Sequence, residues 1–334
     1  MSEPVFFDHD SAALRGNPLG DPHRRRVEVH LPPGYDGIRR FPVVYWLPGF
    51  GAHPSLANRA LAFGGSVADR LGRAMADGRV PPALLVVPDG TTAYGGSQYI
   101  DSAACGRYAG QLAEVVAEVD RRFATVPEAA GRAVAGKSSG GYGALVAGMT
   151  SDLFSAVLAF SPDAGFEHCY LPLVPAALDT VRAAGGVEEL LARRDSGPHD
   201  VPFMVAMSIV AMGMCYADAP GTTPSDALPC DPATGLFRDE VWQRWLRHDP
   251  VRMPPAHADR LAGLGLLHLS VGERDDYGMH WGVRALHARL DALGVAHAYR
   301  EHEGGHHGIE HVFAEGLAGL WRVWGGAEAG ACAA

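Results

Sequence analysis

Short apolar runs recur along the chain, each closed by glycine or proline. "RRVEVHLPPGY" alternates polar and apolar residues and stops at Pro-Pro-Gly, which predicts a strand and a turn. "FPVVYWLPGFG" is a continuous apolar run with β-branched and aromatic residues, the pattern of a strand buried on both faces. "PPALLVVPDG", "GRAVAGKSSGG", "FSAVLAFSPD", "GLLHLSVGERD" and "HAYREHEGG" repeat it. Between them, "CGRYAGQLAEVVAEVDRRF" and "HWGVRALHARLDALG" space their apolar residues as helices do. Strands alternating with helices predict an α/β protein: a mostly parallel sheet covered by helices on both faces.

The alternation fails from Ala164 to Ala256. This stretch holds the Met-rich run from Phe203 to Met214, the loop "DAPGTTPSDALPCDPATG" and the amphipathic "RDEVWQRWLRHDP". It predicts a mainly helical cap over residues 164–256, inserted into a core of residues 1–163 and 257–334. Met204, Met207, Met212 and Met214 suit either the core of the cap helices or an adaptable apolar pocket. Met207 and Trp245 are the pocket candidates from this segment.

Composition narrows the class. Of 334 residues, 47% are hydrophobic and 20% charged, which suits a soluble globular chain with a large core. A formal charge of -10, from 28 Lys+Arg and 38 Asp+Glu, argues against nucleic acid as a partner. "HRRR", His23 to Arg26, reads as a solvated strand edge. Five scattered cysteines form no Cys-x-x-Cys, and their odd number argues for reduced, buried thiols. No basic stretch followed by an apolar core opens the chain, and the longest apolar run is too short and broken to span a bilayer. The expectation is a cytoplasmic protein without a membrane partner. A homo-oligomer is compatible with it, and a chain trimmed of a signal would read the same.

Gly136-Lys137-Ser138-Ser139-Gly140 is a G-x-S-x-G pentapeptide. The apolar "RAVA" precedes it and the small-residue "GGYGALVAGM" follows, the strand–turn–helix setting of a nucleophile elbow. Glycines two residues either side let the turn pack tightly, so that the Ser138 hydroxyl projects beside a helix N-terminus. Ser139 fits less well, with Lys137 rather than glycine two residues before it. In this setting the acid and the histidine follow at the ends of later strands. "LLHLSVG" ends at Asp275 and Asp276, and "HAYREHE" leads into His306 and His307. Asp163, after "LAFSP", is a third candidate acid one strand earlier.

With these segments in view, the chain resembles the "putative esterase" (esterase D-like) family of the α/β-hydrolase superfamily. That family includes feruloyl esterases, enterochelin esterases and mycolyltransferases. "VHLPPGYD", "FPVVYWLPGFG", "VVPDG", "GKSSGGYGAL", "FSAVLAFSPD", "VGERDDYG" and "EGGHHG" carry the resemblance across nearly the whole chain outside the cap. The resemblance implies that the acid sits in a G-x-x-D turn, here Asp275, and the histidine directly after Gly-Gly, here His306. Two positions depart from the family pattern. Pro48-Gly49 stands where His-Gly is common, and Lys137 stands where the elbow often has histidine.

The tetrahedral intermediate of ester cleavage needs two fixed donors. The candidates are the backbone N–H of Ser139 and that of Phe50 in the "LPGFG" loop, with Gly51 second. Gly51 and Tyr99 join the pocket candidates at the rim.

His302 to His306 also spells His-Glu-x-x-His, a zinc signature. That signature requires a helix so that both histidines share a face. Gly304 and Gly305 between them, and the strand-like alternation before them, argue instead for a turn that swings His306 toward Ser138. No metal and no cofactor are expected. The reading is a serine carboxylic-ester hydrolase acting through an acyl-enzyme on small-molecule esters, neutral and with an apolar acyl or aryl portion. An acyltransferase with the same triad and a non-catalytic binding module are the alternatives.

Overall fold

The computed structural model describes residues 3–53, 66–196 and 199–325. Among the described residues ten strands form in chain order: β1 Val5–Asp10, β2 Arg24–His30, β3 Val43–Leu47, β4 Leu84–Pro88, β5 Asp101–Ser102, β6 Gly106–Arg107, β7 Arg132–Lys137, β8 Ala156–Phe160, β9 Leu266–Gly272 and β10 Ala298–His302. All but β5 and β6 build one eight-stranded sheet in the order β1-β2-β4-β3-β7-β8-β9-β10. The first two pairings are antiparallel and the remaining five parallel.

The parallel strands are the continuous apolar runs, because helices cover both of their faces. Alternate residues supply two cores. Val43, Tyr45 and Leu47 enter one apolar cluster with Val134 and Val157. Val44 and Trp46 enter the other with Ala135, Leu158 and Phe160. The longer helices are α1 Val67–Ala76, α2 Tyr108–Arg122, α3 Ser139–Thr150, α4 Val174–Ala184, α5 Val201–Cys215, α6 Asp239–Leu246, α7 Met279–Ala292 and α8 Glu310–Ala318. Leu112 of α2, Leu145 of α3 and Val283 of α7 pack into the first cluster, while Leu71 of α1 and Phe313 of α8 pack into the second.

"VFFDHD" forms β1, a strand not anticipated from the pattern; it pairs antiparallel with β2 from Arg24 to Val29. The "HRRR" cluster is therefore not a solvated edge throughout. Arg25 alternates with Val27 and Val29 onto the core face and is buried, while Arg24 and Arg26 stay exposed. The Arg25 guanidinium donates to the Tyr108 hydroxyl at 3.0 Å and reaches the Asp89 carboxylate at 3.4 Å.

Between β8 and β9 the chain is helical, with α4, α5, α6 and shorter turns. The buried apolar residues of α5, among them Phe203, Met207, Val210 and Met214, join the first cluster. Cys105, Cys169 and Cys215 are buried free thiols and Cys230 is half-buried; Cys332 lies outside the described residues. Among the described residues no helix is long and apolar enough to cross a membrane.

Candidate active site

Ser138 follows β7 and stands at the N-cap of α3 with φ 59° and ψ -128°, a strained backbone for a residue with a side chain. Its N–H donates to Phe160 O at 3.0 Å, which fixes the turn to the neighbouring strand. The flanking glycines are required sterically. A Cβ on Gly140 would lie 1.8 Å from Leu47 O, and one on Gly136 would lie 2.4 Å from the Gly140 carbonyl. Ser139 opens α3, where the first N–H groups lack intrahelical acceptors, so its N–H is available beside Ser138.

The "LPGFG" loop follows β3. Gly51 N–H donates to Gly95 O at 3.1 Å and is therefore occupied, which leaves Phe50 as the candidate donor of this loop. Tyr99 sits behind the loop rather than in front of it. It is buried, and its hydroxyl donates to Pro48 O at 2.9 Å.

The turns after β9 and β10 bring the acids and the histidine together. His306 Nδ1 lies 2.8 Å from Asp275 Oδ2, and both side chains are buried. Asp275 Oδ1 accepts the Tyr277 N–H at 3.0 Å. Burial alone would lift the Asp275 carboxyl, but the His306 hydrogen bond and charge outweigh it and hold the pKa below the usual carboxylate value. Asp276 serves a different atom: its Oδ2 accepts the backbone N–H of His306 at 2.8 Å. The Tyr277 ring stands edge-on to His306, with centroids 4.9 Å apart. The backbone from His302 to His306 leaves β10 through turns, with Gly304 at φ 121°, so the two histidines do not share a helix face. Among the described residues one cluster has metal-ligand geometry, His287, Asp291 and His297. It involves α7 and the turn entering β10, whereas His306 follows the other end of that strand.

Ser138 and His306 open into one cavity of about 640 Å³. Phe50, Leu173, Met204, Met212 and Phe313 give it apolar walls. Of the pocket candidates, Gly51, Tyr99, Met207 and Trp245 do not line it. On α5 the cavity face carries Met204, Val205, Ser208 and Met212. At about 100° per residue, Met207 is turned from that face by about a third of a turn, into the core. Trp245 is buried in an aromatic cluster with Tyr170 and Tyr216, its indole N–H donating to Ala227 O at 3.1 Å.

Asp163, the third acid candidate, does not contact His306 through a hydrogen bond; it faces the nucleophile. Its Oδ1 accepts from Ser138 Oγ at 3.5 Å, and its Oδ2 accepts from Ser139 Oγ at 3.1 Å, Gln98 Nε2 at 3.1 Å and Tyr170 OH at 2.6 Å. Burial pushes its carboxyl above the ordinary range, against the lowering effect of the Tyr170 and Gln98 bonds. Nothing local in "FSPDAG" signals this environment, because its donors come from three separate segments.

Residues 21–319 match the family model described as "Putative esterase". No curated protein sequence matches significantly. Among solved structures, the fold is similar to a ferulic acid esterase, at TM-score 0.60 and 17% identity over 96% of this chain and 98% of that one. It is also similar to fluorophosphonate-binding serine hydrolase F of Staphylococcus aureus, at TM-score 0.59 and 13% identity, covering 96% of this chain and 98% of that one. S-formylglutathione hydrolase from the same organism aligns at TM-score 0.53 and 15% identity, over 96% of this chain and 100% of that one. At such identities the structures speak for the shared α/β-hydrolase fold, and the family match speaks for the activity. The chain belongs to the putative esterase family, has the α/β-hydrolase fold and is an esterase.

Proposed function

We propose that Ser138, His306 and Asp275 form the catalytic triad and that hydrolysis proceeds through an acyl-enzyme. Ser138 Oγ attacks the ester carbonyl while His306 Nε2 takes its proton. The tetrahedral oxyanion is held by the N–H groups of Ser139 and Phe50. His306 returns the proton to the leaving alcohol, and water, activated by the same ring, releases the acid. Asp275 holds the Nδ1–H tautomer and stabilises the imidazolium. The observation that carries this reading is the buried 2.8 Å pairing of His306 Nδ1 with Asp275 in the same cavity as the strained Ser138.

The apolar walls around Met204, Met212 and Phe313 support neutral esters with an apolar acyl or aryl portion. The charge of -10 disfavours strongly anionic ones. The helices between β8 and β9 act as the cap, α5 supplying one wall of the cavity. Ser138→Ala is expected to lower ester turnover by at least about a thousandfold and to abolish fluorophosphonate labelling, with an unchanged melting curve. Retained turnover in the pure variant would remove Ser138 from its role. Acyl transfer to an added alcohol or amine, outrunning hydrolysis, would move the reading to an acyltransferase.

A further inference from the structure

The carboxylate of Asp163 has two unequal oxygens. Oδ2 is saturated by Ser139, Gln98 and Tyr170. Oδ1 has one long contact, 3.5 Å to Ser138 Oγ, and Asp163 lines the cavity. When Ser138 gives its proton to His306 that contact is lost. Oδ1 then faces the cavity without a donor, in a residue otherwise buried. A bare buried carboxylate oxygen is costly, and its negative field opposes the oxyanion forming beside it. An apolar side chain at this place would carry neither cost.

The surroundings hold Asp163 in position. Gln98 and Tyr99 are consecutive residues with φ 54° and 56°, a left-handed backbone that persists only where contacts enforce it. That backbone delivers the Gln98 amide to Asp163, 2.9 Å from Tyr170 OH and 3.0 Å from Tyr216 OH.

We propose that Asp163 is a specificity residue that selects esters bearing a hydrogen-bond donor, a hydroxyl or an amino group, on the acyl carbon next to the scissile carbonyl. This rests on the reading of Ser138 as the nucleophile. The reach fits. An attacking Oγ approaches the carbonyl carbon to about 3 Å. A heteroatom on the neighbouring carbon lies about 2.4 Å from that carbonyl carbon by covalent geometry. With Oδ1 3.5 Å from Oγ, these lengths allow such a donor to reach hydrogen-bond distance of Oδ1. A hydroxyl keeps the ester neutral; an ammonium would form an ion pair.

The test compares ethyl propanoate, ethyl lactate and alanine ethyl ester, three acyl groups of similar size, by ethanol release. Each kcat/KM is divided by the hydroxide-catalysed rate of the same ester, which removes intrinsic reactivity. The lactate or the alanine ester should exceed the propanoate by about tenfold or more, the usual scale of a hydrogen bond to a charged group, and the larger gain identifies the donor. In Asp163→Leu, and in the milder Asp163→Asn should the first not fold, that advantage should shrink toward unity. Equal normalised efficiencies on all three esters in the unaltered protein would overturn the inference and leave the esterase reading intact. So would an advantage that survives in a folded Asp163→Leu. No hydrolysis of any ester, together with no fluorophosphonate labelling, would instead bring down the nucleophile assignment and this inference with it.

Discussion

Asp275→Asn should disable the enzyme far more than Asp276→Asn, although the two residues are adjacent and chemically alike. The structure supplies the reason atom by atom. Asp275 Oδ1 accepts the Tyr277 N–H at 3.0 Å while Oδ2 faces His306 Nδ1 at 2.8 Å. In the Asp275→Asn variant the amide oxygen takes the place facing Tyr277, since only an acceptor fits there. The NH₂ group then faces His306 and demands an unprotonated Nδ1, so the proton moves to Nε2, where it blocks acceptance of the Ser138 proton. A wrong tautomer of this kind costs serine proteases about ten-thousandfold in kcat, about 5.5 kcal/mol. Asp276 accepts the backbone N–H of His306, and an asparagine oxygen still accepts it. What is lost is the charge assistance of one hydrogen bond, about 1 kcal/mol, or about fivefold. Steady-state hydrolysis of p-nitrophenyl butyrate by both variants, with thermal melts alongside, measures the difference. Asp276→Asn being the slower of the two would transfer the acid role, and an Asp275→Asn enzyme within tenfold of the parent would refute the tautomer argument.

Gly140→Ala should destabilise the protein by about 3 kcal/mol or more in urea denaturation, because its Cβ would overlap the Leu47 carbonyl at 1.8 Å and no side chain can yield. Met204→Ala should change the preference among acyl chain lengths, whereas Met207→Ala should cost about 2–5 kcal/mol of stability and leave the preference alone, since only Met204 lines the cavity; equal shifts in both would make α5 scaffold. His268, buried, has its pKa lowered from 6.5 to about 4 by desolvation. It stays neutral in the folded state while the unfolded chain takes up a proton below pH 6.5. Stability should therefore fall as pH drops from about 6.5 to about 4, by up to about 3 kcal/mol, and His268→Leu should flatten that slope in pH-dependent denaturation.

The parallel part of the fold was legible because a strand buried on both faces must be apolar at every position. Val43–Leu47, Leu84–Pro88 and Ala156–Phe160 carry that signal in five consecutive residues each. β1 was not, because only one of its faces meets the core. "VFFDHD" buries Phe7 and exposes Val5 and Phe6, so its alternation is imperfect and its polar second half resembles a loop. The misjudged Arg25 is interior because the alternation puts it on the inward face with Val27 and Val29, where Asp89 and Tyr108 from distant segments meet it.

The site divides along the same line. Ser138, Asp275 and His306 were readable because each sits where a strand ends in glycines, and tight turns leave few alternatives in composition. The cavity wall was not, because apolar composition marks α5 as buried without saying which face meets the cavity and which the core. Two residues along that helix separate Met207 from the wall residue Val205, and the choice between them is made by packing against α4, β5 and the loop after β3. Asp163 lay furthest from view. Its environment is assembled from Gln98, Ser138, Ser139 and Tyr170, drawn from a loop, an elbow and a cap turn, and a carboxylate in "SPDAG" looks no different from one in an exposed turn. Its meaning is a property of closure. Only when those segments meet does an ordinary aspartate become a buried acceptor aimed at the nucleophile, and a preference for the acyl group follows from that position rather than from any motif.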